Sequence, residues 1–302
     1  MKKEFMKGAS GLLIKAKNLS ISEWDDYALL DSGDGKKIER FGTKLIIRHE
    51  PSAVWKPLNP KTWKEADAIY AIGKNLEDWE FRSKVDPVWR IKLDDFVFQL
   101  EIKNSQHIGI FPEQVQNWRW IEKIIKASNE QLRILNLFGY SGIATAYALR
   151  AGAHTTHVDA SKRAIQSAKK NIALCNLNHK PARWLVDDAM KFVEKEIRRG
   201  NMYDGLILDP PIFGRGPHGE IWHFEKDIHQ LLENCRKIMN KDMRFFILTA
   251  YNIPQNANEL KDLVLSVWKF DMGAFTYGDL SQVEKSAGRV IQQAIYTRWT
   301  SK

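Results

Sequence analysis

The sequence predicts an α/β fold, with a mostly parallel sheet covered on both faces, an antiparallel ending, and a small β-rich domain at the N-terminus. Three patterns predict it. Between residues 133 and 267, apolar strand-like runs alternate with runs of helical periodicity, which is how a parallel sheet with crossover helices reads. Two late β-like runs, 273–277 and 290–298, follow with no clear helix between them, as an antiparallel ending requires. Residues before about 105 instead show short β-like runs bounded by turn residues. The expected division is a β-rich accessory domain over 1–105, possibly substrate-binding, and a larger domain over 106–302.

In the first part, the run from Tyr27 to Leu30 leads into Asp31-Ser32-Gly33-Asp34-Gly35, read as a turn, and residues 44–48 read as a strand. Residues 90–93 and 96–102 pair around Asp94-Asp95. Trp24, Trp55, Trp63, Trp79 and Trp89 enrich this part in aromatics, and basic and aromatic residues interleave between Arg48 and Trp63. Such mixtures stack bases in some proteins and form the core and rim of a small β domain in others.

The second part opens with helical spacing over 112–126, seen in Trp118, Ile121, Ile124 and Ile125. Strands are then expected at 133–138, 155–158, 182–186, 205–208 and 244–248. Helices are expected at 143–151, 162–175, 189–199, 224–239 and 256–267.

The chain has 302 residues, 44% of them apolar and 27% charged, which gives a sizeable core and argues against disorder. Cys175 and Cys235 form neither a disulfide framework nor a metal-ligand spacing, and no metal is expected. No apolar run reaches membrane-span length, and no signal-peptide segment follows the basic start. A cytoplasmic protein that does not contact membranes is the expectation. The net charge is +9, and residues 106–302 hold 27 Lys and Arg against 20 Asp and Glu. That excess favours a polyanion such as RNA, although an ordinary solvated surface gives the same balance.

The candidate chemistry sits at successive strand ends. After the first strand of the larger domain, Asn136-Leu137-Phe138-Gly139-Tyr140-Ser141-Gly142 reads as a tight turn opening a helix. Asp159, about twenty residues on, stands where a ribose-binding acid belongs in such folds, with Ala160 and Ser161 beside it. A helix N-cap is the competing role for Asp159. Asp187 and Asp188, before Ala189, end the third strand and either accept from an adenine amino group or cap the next helix. Leu208-Asp209-Pro210-Pro211 ends the fourth strand. Its prolines set a rigid path, remove two donors and leave carbonyl oxygens as acceptors beside Asp209.

Taken in order, these motifs resemble those of the class I S-adenosylmethionine-dependent methyltransferases. More narrowly they are similar to the bacterial group of large-subunit ribosomal RNA cytosine-C5 methyltransferases. The run Gly109-Ile110-Phe111-Pro112-Glu113-Gln114 matches that group's segment before the first strand, and residues 30–35 and 37–42 look like a subgroup with a small β domain. The resemblance implies a Rossmann-like methyltransferase sheet and S-adenosylmethionine as cofactor. Gly139 to Gly142 would approach its amino-acid part, Asp159 its ribose, and Asp188 and Ala189 its adenine, with Pro112 and Gln114 closing over it. Asp209, Pro210, Pro211 and Phe213 would line the methyl-transfer site. Cytosine-C5 transfer needs a thiolate, which the related enzymes place after the fifth strand, where this chain reads Leu248-Thr249-Ala250-Tyr251-Asn252. The expected function is therefore methyl transfer to RNA, with ribosomal RNA favoured and the acceptor atom open; a nitrogen or oxygen acceptor needs no covalent adduct.

The alternatives are a small-molecule or protein methyltransferase, with a pocket from Phe213, Trp222, His218 and His223, and a non-catalytic RNA-binding protein. A nicotinamide-dependent oxidoreductase is a further alternative, but it lacks the full G-x-G-x-x-G fingerprint at Gly139.

Overall fold

The computed structural model describes residues 6–7, 11–21, 24–72, 77–82, 84 and 86–301. They fall into two compact units. The first comprises Met1–Leu19, Gln116–Leu280 and Gln293–Lys302, and the second comprises Ser20–Val115 and Ser281–Gln292. The sequence suggested one cut after residue 105, whereas the chain passes between the units several times. The early strands β1 (Met6–Lys7) and β2 (Leu12–Ala16) extend the larger sheet, and β3 (Leu19–Ser20) pairs at its side.

In the second unit, β4 (Tyr27–Gly33), β5 (Lys36–Phe41), β6 (Lys44–His49), β7 (Ala68–Ile72) and β8 (Glu77–Phe81) form one sheet in chain order, with the short helix α1 (Pro60–Lys64) before β7. A hairpin, β9 (Val88–Leu93) with β10 (Phe96–Glu101), follows, and Phe96 pairs with Leu93 across the expected turn. The turn expected over 31–35 is shorter than the sequence suggested. Strand β4 runs on through Gly33 with an irregularity between Leu29 and Asp31, which leaves Asp34-Gly35 as the turn. Buried polar pairing holds this strand. Asp31 accepts from the Leu58 and Asn59 amides and from Trp63 Nε1, at 2.8 to 2.9 Å.

Of the interleaved basic and aromatic residues, Arg48 is buried, Trp55 and Trp63 are half-buried, and Lys56 and Lys61 are exposed. Arg48 donates to Glu39 at 2.7 and 2.8 Å, and Tyr27 donates to the same carboxylate at 2.8 Å. The five tryptophans all spend their indole N–H on bonds within this unit. They are its core and rim. Residues 112–114 form a buried 3-10 turn, so the α-helix expected from 112 begins at α2 (Val115–Lys126). Pro112 lacks the amide an α-helix needs further in.

The first unit carries β11 (Arg133–Leu137), α3 (Ile143–Arg150), β12 (His154–Asp159), α4 (Lys162–Leu174), β13 (Ala182–Val186), α5 (Ala189–Arg199) and β14 (Gly205–Leu208). A small hairpin, β15 (Phe213–Arg215) with β16 (Ile221–His223), comes next, then α6 (Phe224–Lys237), β17 (Phe245–Ala250), α7 (Ala257–Val267), β18 (Gly273–Val283) and β19 (Val290–Thr300). The strand order is β1-β2-β18-β19-β17-β14-β11-β12-β13. Strands β13, β12, β11, β14 and β17 are parallel, and β19 closes antiparallel on β17. This is the Rossmann-like sheet with its antiparallel ending.

Side chains alternate across the sheet as period-2 geometry requires. Leu135, Leu137, Leu206, Leu208, Phe246 and Leu248 pack on one face with Phe192, Leu231, Leu232 and Leu260 from α5, α6 and α7. Ile134, Ile207, Phe245 and Ile247 pack on the other with Ile121, Ile125 and Ala148 from α2 and α3. Among the described residues no helix is long and apolar enough to cross a membrane.

Candidate active site

The parallel strands end together. Leu137 pairs with Val158 on one side and Leu208 on the other, and Asp159 pairs with Val186. From β11 the chain fills positions to one side, β12 and β13, then returns to place β14 on the other. Such a switch point opens a crevice outside the strands' carboxyl ends. The residues singled out after β11, β12, β13 and β14 all belong to that edge.

The turn after β11 is tightly built. Phe138 and Tyr140 both take left-handed backbone conformations, with φ of 57° and 47°, which non-glycine residues seldom adopt. Gly139 lies between them. A Cβ there would strike the His157 ring, 2.7 Å from Nδ1 and closer still to Cε1. Gly142 has φ of 79°, and a Cβ on it would lie 2.7 Å from that of Ala168. The two glycines therefore let the turn settle onto the strand and helix behind it. Ser141 is buried, and its carbonyl accepts from Asn171 Nδ2 at 2.9 Å. Asn136 points into the fold and donates to Thr145 Oγ1 at 3.0 Å, and Thr145 Oγ1 lies 2.9 Å from His157 Nδ1.

Asp159 Oδ2 accepts the Tyr140 amide at 2.9 Å, and Oδ1 accepts the Ser161 amide at 2.8 Å. The carboxylate thus ties the turn after β11 to the end of β12. Burial pushes its pKa up, and these two donors oppose that shift. It is not the cap of α4. That role falls to Ser161, whose hydroxyl accepts from Ala164 N at 3.2 Å. Ala160 lies between the two and is half-buried.

The two acids after β13 have different partners. Asp187 accepts from Lys195 Nζ at 2.7 Å and from the Asp188 amide at 3.0 Å. Asp188 is the N-cap of α5 and accepts from Lys191 N at 3.0 Å, while Ala189, the first residue of that helix, is buried.

At the end of β14, Asp209 is half-buried, Pro210 is buried and Pro211 is exposed. The Pro211 carbonyl is not left open, because Trp222 Nε1 donates to it at 2.7 Å. No strand signal marks β15 and β16 in the sequence, because their three-residue runs are too short for periodicity. They project Phe213, 49% exposed, next to His223 at 5.1 Å between ring centroids. Trp222 is buried and packs on Phe138 at 5.1 Å, which links the two turns. His218 lies exposed at the hairpin turn. Phe213 and His223 adjoin, but Trp222 serves the core and not a pocket wall. Pro112 and Gln114 lie in the second unit, in the buried 3-10 turn. Cys235 is fully buried and its thiol is pushed well above the usual range, and Cys175 ends α4. Among the described residues no group of His, Cys, Asp and Glu could hold a metal ion.

His157, Thr145 and Trp222 complete this edge, and sequence reading did not assign them there. The sequence suggests Trp222 as a pocket wall. His157 carried a faint signal, since it sits two residues before Asp159 and so on the same face of β12.

Residues 115–252 match a family model described as conserved hypothetical protein 95. A crystal structure of an S-adenosylmethionine-dependent methyltransferase from Agrobacterium tumefaciens is 35% identical, with a TM-score of 0.92 over 100% of this chain and 98% of its own. The chain belongs to the S-adenosylmethionine-dependent methyltransferases. A protein crystallised with S-adenosylhomocysteine shares the methyltransferase's fold at 20% identity, with a TM-score of 0.70 over 92% of this chain and 76% of its own. Ribosomal RNA large subunit methyltransferase I of Aeromonas salmonicida is 29% identical over 152 residues, 50% of this chain and 35% of that protein. A ribosomal RNA large subunit methyltransferase of Deinococcus radiodurans is 34% identical over 119 residues, 39% of this chain and 28% of that protein. The methyltransferase thus spans about a third of the length of these curated relatives.

Proposed function

We propose that this methyltransferase transfers the methyl group of S-adenosylmethionine to RNA, with ribosomal RNA favoured, at a nitrogen of the base. The observation that carries the reading is the Asp209-Pro210-Pro211 turn beside an exposed aromatic on a braced hairpin, at the edge where the parallel strands end. The ribosomal RNA methyltransferases similar to this chain and the basic excess over residues 106–302 support the choice of RNA. Cytoplasmic residence goes with that substrate. The β-rich unit is read as the accessory domain, and its five tryptophans serve its own core.

Asn136, Phe138, Gly139, Tyr140, Ser141 and Gly142 form the cofactor turn in this reading. The desolvated Asp159 carboxylate fits a ribose diol. Each oxygen already holds one backbone donor, and a carboxylate accommodates further hydroxyl donors. Ala160 and Ser161 flank the ribose, and Asp187, Asp188 and Ala189 border the adenine. Pro112 and Gln114 are assigned to cofactor binding on the resemblance alone.

When bound, the cofactor supplies an electrophilic methyl group on sulfur. The residues of this chain align the acceptor. Asp209 and the Pro210 carbonyl accept its N–H groups and aim the nitrogen lone pair, and Phe213 covers the flat face of the base. As the methylated nitrogen becomes cationic, Asp209 takes its proton. Cysteine-dependent cytosine-C5 transfer forms no part of this proposal, since Cys235 is sealed in the core, Thr249 and Ala250 end β17, and Tyr251 and Asn252 follow it.

Mass spectrometry of RNA from cells with and without the protein tests the acceptor. One methylated nucleoside is expected to vanish with the protein. An unchanged RNA profile, with a methylated protein or metabolite lost instead, would reject RNA.

A further inference from the structure

The hairpin after the Asp209-Pro210-Pro211 turn has two faces of opposite character. Its register sets Phe213 opposite His223, Gly214 opposite Trp222 and Arg215 opposite Ile221. Alternation along each strand sends Gly214 and Trp222 to one side, where Trp222 is buried and packs on Phe138. Phe213, Arg215, Ile221 and His223 therefore share the other side. Phe213 is 49% exposed, Ile221 is 58% exposed, and Arg215 is exposed as well. Two open apolar side chains and a cation on so short a hairpin serve no core. Arg215 forms no hydrogen bond or ion pair among the described residues.

The face is held in place from behind. Trp222 Nε1 donates to the Pro211 carbonyl at 2.7 Å, and the Phe224 amide donates to the Ile212 carbonyl at 2.8 Å. At the hairpin's turn, Lys191 on α5 donates to Glu220 Oε1 at 2.5 Å, and Glu220 Oε2 accepts the His218 amide at 2.8 Å. Glu220 is the one carboxylate between residues 213 and 223, and Lys191 neutralises it. Arg215 is left as the hairpin's unpaired permanent charge. The mixture on the open face selects its partner. A duplex hides the faces of its bases and offers phosphates, which calls for cations alone. An unpaired strand offers both, base faces for flat or apolar side chains and a phosphate for a guanidinium. Phe213, Ile221 and His223 are flat or apolar, and Arg215 is the cation. Arg215 lies two residues, about 7 Å, along the strand from Phe213, on the path of a neighbouring nucleotide.

We propose that the open face of the β15–β16 hairpin holds an unpaired stretch of the acceptor RNA. The nucleotide beside the methylated one lies on Ile221 and His223, and its phosphate pairs with Arg215. This rests on the reading above, in which Phe213 covers the methylated base. Arg215 and Ile221 thereby set affinity for the strand and leave cofactor binding and the transfer step to the residues at the strand ends.

The test measures binding of a fluorescein-labelled oligouridine of about twelve nucleotides, alone and annealed to its complement, by anisotropy over a range of salt. The wild type is expected to bind the single strand more tightly than the duplex. Arg215→Ala is expected to bind it about fivefold more weakly at about 0.1 M salt, with a log–log salt slope smaller by about 0.7, the effect of one phosphate contact on a single strand. Ile221→Ala is expected to weaken binding with the slope unchanged. Lys241→Ala removes an exposed cation before β17, at the opposite end of the sheet, and is expected to bind as the wild type does. All three variants are expected to keep Tm, since they alter exposed side chains. On ribosomal RNA from cells lacking the protein, Arg215→Ala is expected to raise KM, with kcat and S-adenosylhomocysteine affinity unchanged. No binding of the single strand, a duplex bound as tightly, or equal losses for Arg215→Ala and Lys241→Ala would overturn the proposal. Self-association of the wild type that Ile221→Ala abolishes would also overturn it, in favour of a second copy of the chain on this face. Transfer to ribosomal RNA with KM unchanged in Arg215→Ala would overturn it and leave the proposed function standing. Strand binding that depends on Arg215, with no transfer to ribosomal RNA, would instead reject the acceptor and keep the face.

Discussion

Asp159 does two jobs that one substitution separates poorly and two separate well. Its carboxylate fastens the Tyr140 and Ser161 amides, and in the proposed function it also holds the ribose. Asp159→Ala is expected to weaken S-adenosylmethionine binding by about 1.5–3 kcal/mol, on the scale of charge-assisted hydrogen bonds, as calorimetry would show. Asp159→Asn retains one acceptor and is expected to lose less. At Asp209 the expectation reverses. Asp209→Ala should lower kcat by about a hundredfold or more while cofactor affinity stays close to wild type, because in the proposed function the group meets the acceptor and not the cofactor. Intact turnover would mean that the transfer site is misplaced. At this scale the sequence was legible in identity more than in direction. The Asn136 to Gly142 run was recognisable, yet nothing in its spacing showed that Asn136 turns inward to Thr145 or that Gly139 serves the His157 ring. Those facts depend on β12, which lies beside the turn in space and not in sequence.

Among the elements, α5 poses the sharpest question, because Asp188 is demonstrably its cap and is also proposed to face adenine. Serine caps about as well as aspartate. Asp188→Ser is therefore expected to keep Tm and lose cofactor affinity, whereas Asp188→Ala is expected to lose both, with about 1 kcal/mol of stability gone. If Asp188→Ser binds cofactor as the wild type does, the residue is a cap and nothing more. The helices and buried strands were legible because apolar periodicity is strong over ten or more residues. Strands β13 and β14 and helix α5 match the expected bounds. The hairpin of β15 and β16 was not legible, since its three-residue strands depend on Trp222 anchoring to the Pro211 carbonyl, a contact across eleven residues. Strand β4 ran past its apparent turn for a similar reason. Asp31 and Ser32 are buried against partners that sequence does not place nearby, such as Trp63 and Glu284.

Over the whole molecule, the chain's repeated passage between units follows from pairings distant in sequence. Strand β2 lies beside β18, with Leu12 opposite Gly273, and no local pattern announces such a match. Buried His157 gives the folded protein a pH dependence with a definite sign. Burial lowers its pKa to about 3 on folding, from the ordinary 6.5, so below pH 6.5 the unfolded chain binds a proton that the native state refuses. Stability contributed here is present above pH 6.5 and lost as pH falls, by about 2 kcal/mol at pH 5. Melting of wild type and His157→Gln at pH 7 and pH 5 is expected to show the wild type losing ground to the variant on acidification. Parallel pH profiles would contradict the assignment of a neutral buried ring. The proposed binding of RNA is expected to weaken steeply with salt, because counterions released from the phosphates oppose it.

Methyl transfer from S-adenosylmethionine to RNA is proposed at the edge where Asp159 and Asp209 lie. Its most direct test is transfer of a labelled methyl group to ribosomal RNA from cells lacking the protein, with wild-type enzyme beside Asp209→Ala. Label is expected in large-subunit RNA with the wild type, and almost none with the variant. Label confined to protein or small molecules, or equal transfer by both enzymes, would contradict it.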